Sequence, residues 1–351
     1  MDKELSVFLN EQAQSLEKSR IKAVKLNRIY SIVKPLRKLL KGILIVVAVL
    51  NFIIPILLPV TITIGIMYLL TLAMNDPKIV FESNLKDNFL PAIFEKTKPN
   101  LSYSSYGYNN KILQESEILN QGFFSDTIEI EGEDYTKGKI EDIDVEFFEI
   151  KFHKEVTNYS KTAGGCLLSL ILIPIEIFKN IFDNDNEPDE VFAGVIKDIN
   201  MFYSGFFMYA DFNKDFRGKI LMIPKQNENL KDKVHELFAS KSLTKIDVEN
   251  QNINDNYSIY ASDIQTGYYV LSQNLIDRIN ILSIREKALP IISFIEGKIY
   301  FLIPWKKNLF RADIFTKIEN ENYFLNYIEE INSFEEIVKN LNIDRRIWSK
   351  A

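Results

Sequence analysis

Apolar and polar positions divide the chain into one long oily block and a patterned remainder. Between Lys41 and Asp76 stand 34 residues without a single charge. A secretory leader has an apolar core of roughly 7–15 residues close to the N-terminus, so this run reads as a retained anchor. As one straight helix it would reach about 51 Å at about 1.5 Å per residue, against a hydrocarbon thickness of about 30 Å. Pro55 and Pro59 fall in its middle, just after Asn51. Proline removes a backbone donor and crowds the preceding turn. The pattern predicts a transmembrane helical hairpin over residues 36–76, with arms near Leu36–Ile54 and Val60–Asn75; one kinked span is the alternative. A hairpin crosses twice and returns both ends to one side.

Upstream, residues 4–34 read as a helix within a basic segment, 1–35. A heptad register sets Leu9, Leu16, Ala23 and Tyr30 at one seam position and Leu5, Gln12, Ser19, Leu26 and Val33 at the other. Seven of these nine are apolar, which fits a coiled coil. Gln12 and Ser19 weaken it, and an amphipathic helix lying on the membrane or on its own domain fits equally.

Downstream, the pattern predicts an α+β domain over 79–345, with a mixed or antiparallel sheet and flanking helices. Residues 79–96 read as a helix ending before Pro99, 100–110 as a loop or irregular strand, and Ile112–Leu119 as a short helix. The clearest strand signal is 139–153, after a strand at Thr127–Glu131. Val145 and Phe147 share one phase there, and Phe148, Ile150 and Phe152 the other, which predicts a β-bulge near Phe147–Phe148. Further strands are expected at Met201–Asp211, Lys219–Ile223, Leu243–Val248, Tyr257–Ser262, Gly267–Val270, Ile291–Ile295 and Ile299–Ile303. Helices are expected at Glu228–Ser240, Gln273–Lys287 and Asn322–Asn340. Gly138, Gly218 and Gly297 each precede Lys-Ile and read as turn glycines. An insertion at 163–190 departs from this regularity, with an apolar stretch Ala163–Ile175 followed by acids at Asp183, Asp185, Glu187, Asp189 and Glu190. It is too short to span and is either a buried helix or a segment touching lipid through Leu167, Leu170 and Leu172.

Charge adds a direction to the anchor. Residues 1–41 hold ten Lys/Arg against four acids, and the whole chain is −6, so residues 42–351 carry −12. An acidic domain repels phosphate backbones, which excludes nucleic acid as the main partner. The basic arm suits an anionic inner leaflet and places both ends and the main domain in the cytoplasm of a bacterial cell. The single cysteine, Cys166, forms no intramolecular disulfide, in keeping with a reducing compartment.

Chemistry-bearing motifs are absent. His153 and His235 have no second His at ligand spacing, and four residues after His235 stands Ala239, so no zinc-protease pair forms. The tract from Asp183 lacks the glycine and glutamate of a calcium loop, with Pro188 and Gly194 at those places. No phosphate loop or nucleophile elbow occurs. Neither a catalytic residue nor a cofactor or metal ligand is assigned.

The run Phe202–Gly218, reading Phe-Tyr-Ser-Gly-Phe-Phe-Met-Tyr-Ala-Asp-Phe-Asn-Lys-Asp-Phe-Arg-Gly, resembles a bacterial membrane-protein family known as domain of unknown function 3137. Ser258–Asp263, Tyr269–Leu271, Ser293-Phe294, Lys298–Tyr300 and Leu309-Phe310 continue the resemblance, and Glu133-Asp134-Tyr135 with Gly138 also fits. It covers roughly residues 80–340. The family has no established activity. The resemblance implies a basic N-terminal helix, a two-helix anchor and a membrane complex, with LemA-type membrane proteins as a partner class. Read physically, Phe206, Phe207, Phe212 and Phe216 are core and turn aromatics, while Asp211 and Asn213 cap a turn. These two and Asp263 form the candidate partner-binding loop. The sequence therefore points to a membrane-anchored cytoplasmic binding or scaffold module. The alternatives are a membrane-associated enzyme of hydrolytic class and a self-assembling membrane protein.

Overall fold

The structure, a computed structural model, describes residues 3–51, 53–120, 124, 127–158, 196–211, 215–225, 243–304 and 309–340. It opens with α1 (Lys3–Asn51), a single helix of 49 residues. Leu9, Ala13, Leu16 and Ala23 recur along one of its faces and are buried in the main core. Polar contacts fix that face. Ser6 Oγ donates to Glu321 at 3.0 Å, and Asn10 accepts from the Glu321 amide at 3.2 Å. Arg20 donates to the Ile314 carbonyl at 2.8 Å, and Glu17 accepts from the Ile318 amide at 3.1 Å. The first heptad seam is thus consumed within the chain, while Leu26 of the second is half exposed. The helix lies on its own domain, and no coiled coil is present among the described residues.

The far half of α1 is met by α2 (Leu58–Leu72), which runs back along it after a 3₁₀ turn at Pro55–Leu57. Arg37 Nη2 donates to the carbonyls of Thr71 and Met74 at 2.5 and 2.9 Å, satisfying acceptors that a helix C-terminus leaves open. Leu40, Leu44 and Tyr68 form a small core of their own. The helical stretch Pro55–Thr97 contains a window long and apolar enough to cross a membrane, and almost none of it is buried.

Asp76 caps α3 (Pro77–Asn84), accepting from the Lys78 amide at 3.0 Å. A π-helical turn, Leu85–Phe89, joins it to α4 (Leu90–Thr97). The remaining helices are α5 (Asn110–Glu115), α6 (Gln251–Asn256), α7 (Ile264–Val270), α8 (Gln273–Glu286) and α9 (Asn322–Asn340). The strands are β1 (Leu101–Tyr106), β2 (Thr127–Ile140), β3 (Ile143–Asn158), β4 (Ile196–Asp211), β5 (Lys219–Pro224), β6 (Thr244–Ile246), β7 (Tyr257–Ala261), β8 (Ile291–Ile295) and β9 (Lys298–Pro304). They form one antiparallel sheet in the order β1-β2-β3-β4-β9-β8-β5-β7-β6. The fold class is α+β. One face packs against α1, α3, α4 and α9. The other is covered around Ile112, Leu113, Ile118 and Phe124.

Three expectations change. Gly267–Val270 is helical, because Asp263 accepts from the Thr266 amide at 2.7 Å and starts α7; the cap outweighs the strand preference of two tyrosines and a valine. The phase change in β3 is not a bulge, since Phe147 and Phe148 pair in continuous register with Met208 and Phe207. Both are buried because the sheet is covered on both faces. The bulge lies across from them in β2, where Glu133 faces Glu149 and Thr136 faces Phe147. Gly138 lies within β2 rather than at a turn: its φ is +152°, and a Cβ there would collide with the Asn100 carbonyl oxygen. The 163–190 insertion, with Leu167, Leu170 and Leu172, lies outside the described residues, as do Phe212 and the helix expected at Glu228–Ser240.

Candidate functional site

The β2 bulge inserts Asp134 and Tyr135 opposite Phe148. Asp134 takes a left-handed φ of +55°, a conformation costly for most side chains but tolerated by aspartate. A bulge re-aims side chains, and Asp134 is fully buried. Above it, the π-helical turn presents Lys86, 4% exposed, whose Nζ lies 2.7 Å from Asp134 Oδ2, 3.3 Å from Glu133 Oε2 and 4.0 Å from Glu82. Tyr103 of β1 donates its hydroxyl to Asp134 Oδ1 at 2.6 Å, with its ring stacked on Phe94 at 4.8 Å. Lys151 of β3 binds Glu133 Oε1 at 2.5 Å. Glu149, one pleat away on the same face, accepts from the Leu309 amide.

Burial dominates the electrostatics. It pushes Asp134 up to about 6, against the opposing pull of Lys86 and Tyr103. It pushes Glu149 up to about 8, opposed by the Leu309 amide and by Lys86. Glu133 stays below its ordinary value, because Lys151 and Lys86 outweigh its own burial. Burial works against the Lys86 ammonium, but Asp134 and Glu133 hold it above its usual range. Burial thus favours the protonated form of Glu149 and, less strongly, of Asp134, while Lys86 and Lys151 are paired with Glu133 and Asp134.

Oxygens of Glu133, Asp134 and Glu149 lie within 4.8 Å of one another, a hard-oxygen set of the kind that suits magnesium, calcium or manganese. Lys86 already supplies the positive charge at its centre, so the residues present do not fit a metal ion. Perturbed carboxyls often mark active sites. Here Asp134 is shut off from solvent and Glu149 is 5% exposed, which leaves no room for a substrate. The arrangement ties the α3–α4 segment, β1, β2, β3 and the Leu309 turn together.

A second feature is open. A groove of about 640 Å³ at one end of the sheet is lined by Lys111, Glu115, Lys137, Asp144, Glu146, Tyr209 and Lys298, among others. Lys298 binds Glu115 at 2.8 Å and holds its carboxyl below the ordinary range. Glu146 accepts from Tyr135 at 2.7 Å and from Asn109 at 3.1 Å. Burial, with Asp211 nearby, raises the Tyr209 hydroxyl to about 12. Three lysines balance three acids, and an aromatic ring stands beside them.

The candidate partner loop borders this groove in part. Asp211 ends β4 and pairs in register with Lys298, which lines the groove. Asp263 is the N-cap of α7. It follows Ser262, whose hydroxyl accepts from the Lys219 amide at 2.9 Å, and Lys219 in turn pairs with Ile295 beside the β8–β9 turn. Asn213 lies outside the described residues. Sequence reasoning misses the buried cluster. Its signal is the odd phase of β3, where apolar Val145 and Phe147 give way to Glu149 and Lys151 while Phe148, Ile150 and Phe152 keep the even phase apolar.

Residues 201–343 match the model of a family described as "Protein of unknown function (DUF3137)". Of the resemblance expected over roughly 80–340, the part from residue 201 on is found, and Glu133-Asp134-Tyr135 falls outside the matched span. No curated protein matches the chain. Among solved structures, the crystal structure of the mycobacterial trehalose monomycolate transport factor A aligns at 7% identity and a TM-score of 0.31, covering 72% of this chain and 97% of that one. A likeness at that score carries no inference.

Proposed function

We propose that this chain, which carries the DUF3137 region at residues 201–343, is a membrane-anchored binding module. Its α+β domain recruits a protein partner on the cytoplasmic side of a bacterial membrane. The observation that carries this reading is the join between the two parts. The lipid-compatible α1–α2 pair is continuous with the domain core through α1, and the open groove holds paired charges with an aromatic wall. The strongly shifted carboxyls, meanwhile, are sealed inside. Antiparallel packing of α1 and α2 supports an anchor whose two ends lie on one side. No acid separates Glu17 from Asp76, while nine Lys/Arg lie between residues 18 and 41, which favours the cytoplasmic side.

The test is crosslinking in native membranes, comparing the parent chain with Lys111→Glu/Lys298→Glu and with Asp211→Ala. A specific protein, LemA-type or other, is expected with the parent and lost when the groove charges are reversed. Turnover of a small substrate by the purified chain, abolished by one groove substitution without unfolding, would replace the binding reading with an enzymatic one.

A further inference from the structure

Each helix of the anchor is shorter than the hydrocarbon thickness: from Lys41 to its last residue, Asn51, α1 rises about 15 Å, and α2 rises about 22 Å, at about 1.5 Å per residue. The apolar window within Pro55–Thr97 reaches the length of a crossing only by running past the ends of α2. The hydrocarbon core is about 30 Å thick, and about 40–45 Å with headgroups. Lys34, Arg37, Lys38 and Lys41 precede this rise on α1 and mark the level where cations must reach polar headgroups.

The tip has the chemistry of a group that remains in hydrocarbon. Ile53 is 75% exposed and Ile56 83%, with Ile54 and Leu58 also outward, and no charged residue lies near them. A segment emerging into water at the far side ordinarily carries polar residues; here nothing outward-facing between Ile53 and Leu58 seeks water. Backbone in lipid must satisfy its own donors, and four amides of this turn do so. The amides of Ile53 and Ile54 donate to the Leu50 carbonyl at 3.0 and 2.8 Å, Leu57 donates to Ile54 at 3.1 Å, and Leu58 donates to Pro55. Pro55 and Pro59 have no donor to satisfy. The nearest polar side chains turn to each other, with the Asn51 amide donating to the Thr61 hydroxyl, which itself donates to the Leu57 carbonyl at 3.1 Å.

We infer that the α1–α2 hairpin enters the bilayer from one face and ends inside it, with Ile53–Leu58 seated among acyl chains. This rests on the membrane-anchored reading and departs from the two crossings expected from sequence.

The experiment uses the full chain in bacterial cells in a Cys166→Ser background, with single cysteines at Ile56 and, as a control, at exposed Ser31. An impermeant maleimide is applied to spheroplasts, to inverted vesicles and after detergent. The expected result is labelling of Ser31→Cys in inverted vesicles and labelling of Ile56→Cys only in detergent. Labelling of Ile56→Cys in spheroplasts overturns the inference, since the tip then reaches the far side, and leaves the anchor intact. Labelling of Ile56→Cys in inverted vesicles also overturns it, since the tip is then outside the acyl region. Recovery of the chain in the soluble fraction would instead remove the anchored reading itself. Ile56→Lys supplies a second measure: retention in the membrane under alkaline carbonate should fall several-fold, and unchanged retention counts against a tip held in hydrocarbon.

Discussion

Lys86 and Asp134 show how single residues set the terms of this fold. Removing one partner from a buried ion pair strands the other charge, at a cost of about 3–5 kcal/mol. Lys86→Met should destabilise the domain by about that amount, and adding Asp134→Asn should recover part of the loss; a double-mutant cycle from thermal melts reads the coupling. Glu149 gives a pH signature. Its carboxyl is held well above the ordinary 4.5, at about 8, so it binds a proton more tightly folded than unfolded. The stability it contributes is complete below about 4.5 and is lost as pH rises toward 8. Glu149→Gln should match the parent near pH 5 and exceed it at about pH 8.5, by about 3–5 kcal/mol. Equal pH dependence in parent and variant would show that Glu149 is ionised in the fold. Lys86, Glu133, Asp134 and Lys151 surround this position in both proteins, so the difference isolates its titration. None of this is legible in the sequence as a site. Glu149 and Lys151 show there only as a break in an apolar phase, and Lys86 comes from a helical turn 48 residues before Asp134.

At the scale of elements, periodicity succeeds where packing and local preference agree. The helix expected at Asn322–Asn340 and the strands at Lys219–Ile223 and Ile291–Ile295 appear almost where their patterns place them. The segment after Asp263 defeats the pattern because aromatic residues suit strands, whereas a capped first turn settles the conformation. Asp263→Ala should therefore cost about 0.5–2 kcal/mol through α7, read as a lower melting temperature, before any effect on a partner is counted. The strand order is not readable at all. β4 pairs with β9 across a stretch of sequence whose length no local pattern encodes. The heptad in α1 is legible as a buried face but not as to what buries it. Leu16, fully buried, answers that question. Leu16→Ala should destabilise the folded domain by about 2–5 kcal/mol, whereas the same change in an independent coiled-coil arm would leave the domain's melting unaltered.

The whole molecule follows from α1 belonging to two environments at once. Its beginning completes the domain core, through Leu9, Ala13, Leu16 and Ala23, while its last turns pair with α2 away from that core. The sequence sets the folded domain at 79–345, beyond the charge-free run, and leaves open whether residues 4–34 lie on it. The contacts decide it: the hairpin has a small core of its own, whereas the N-terminal arm shares the core of the domain. Arg37 reaches the carbonyls of Thr71 and Met74, so the two ends of the hairpin stand side by side at its base. A Gly/Ser linker of about six residues spans about 13 Å and serves to join residue 35 to residue 77. That chain should leave the membrane, remain soluble and melt within a few degrees of the parent in detergent. A chain beginning at residue 79 loses four buried apolar side chains of α1 and exposes the surfaces of Phe81, Leu85 and Phe89, which share their core. It should melt at least about 10 °C lower or aggregate, as expected when several kcal/mol of burial are removed. Equal melting temperatures for the two chains would mean that α1 merely rests on a domain complete without it.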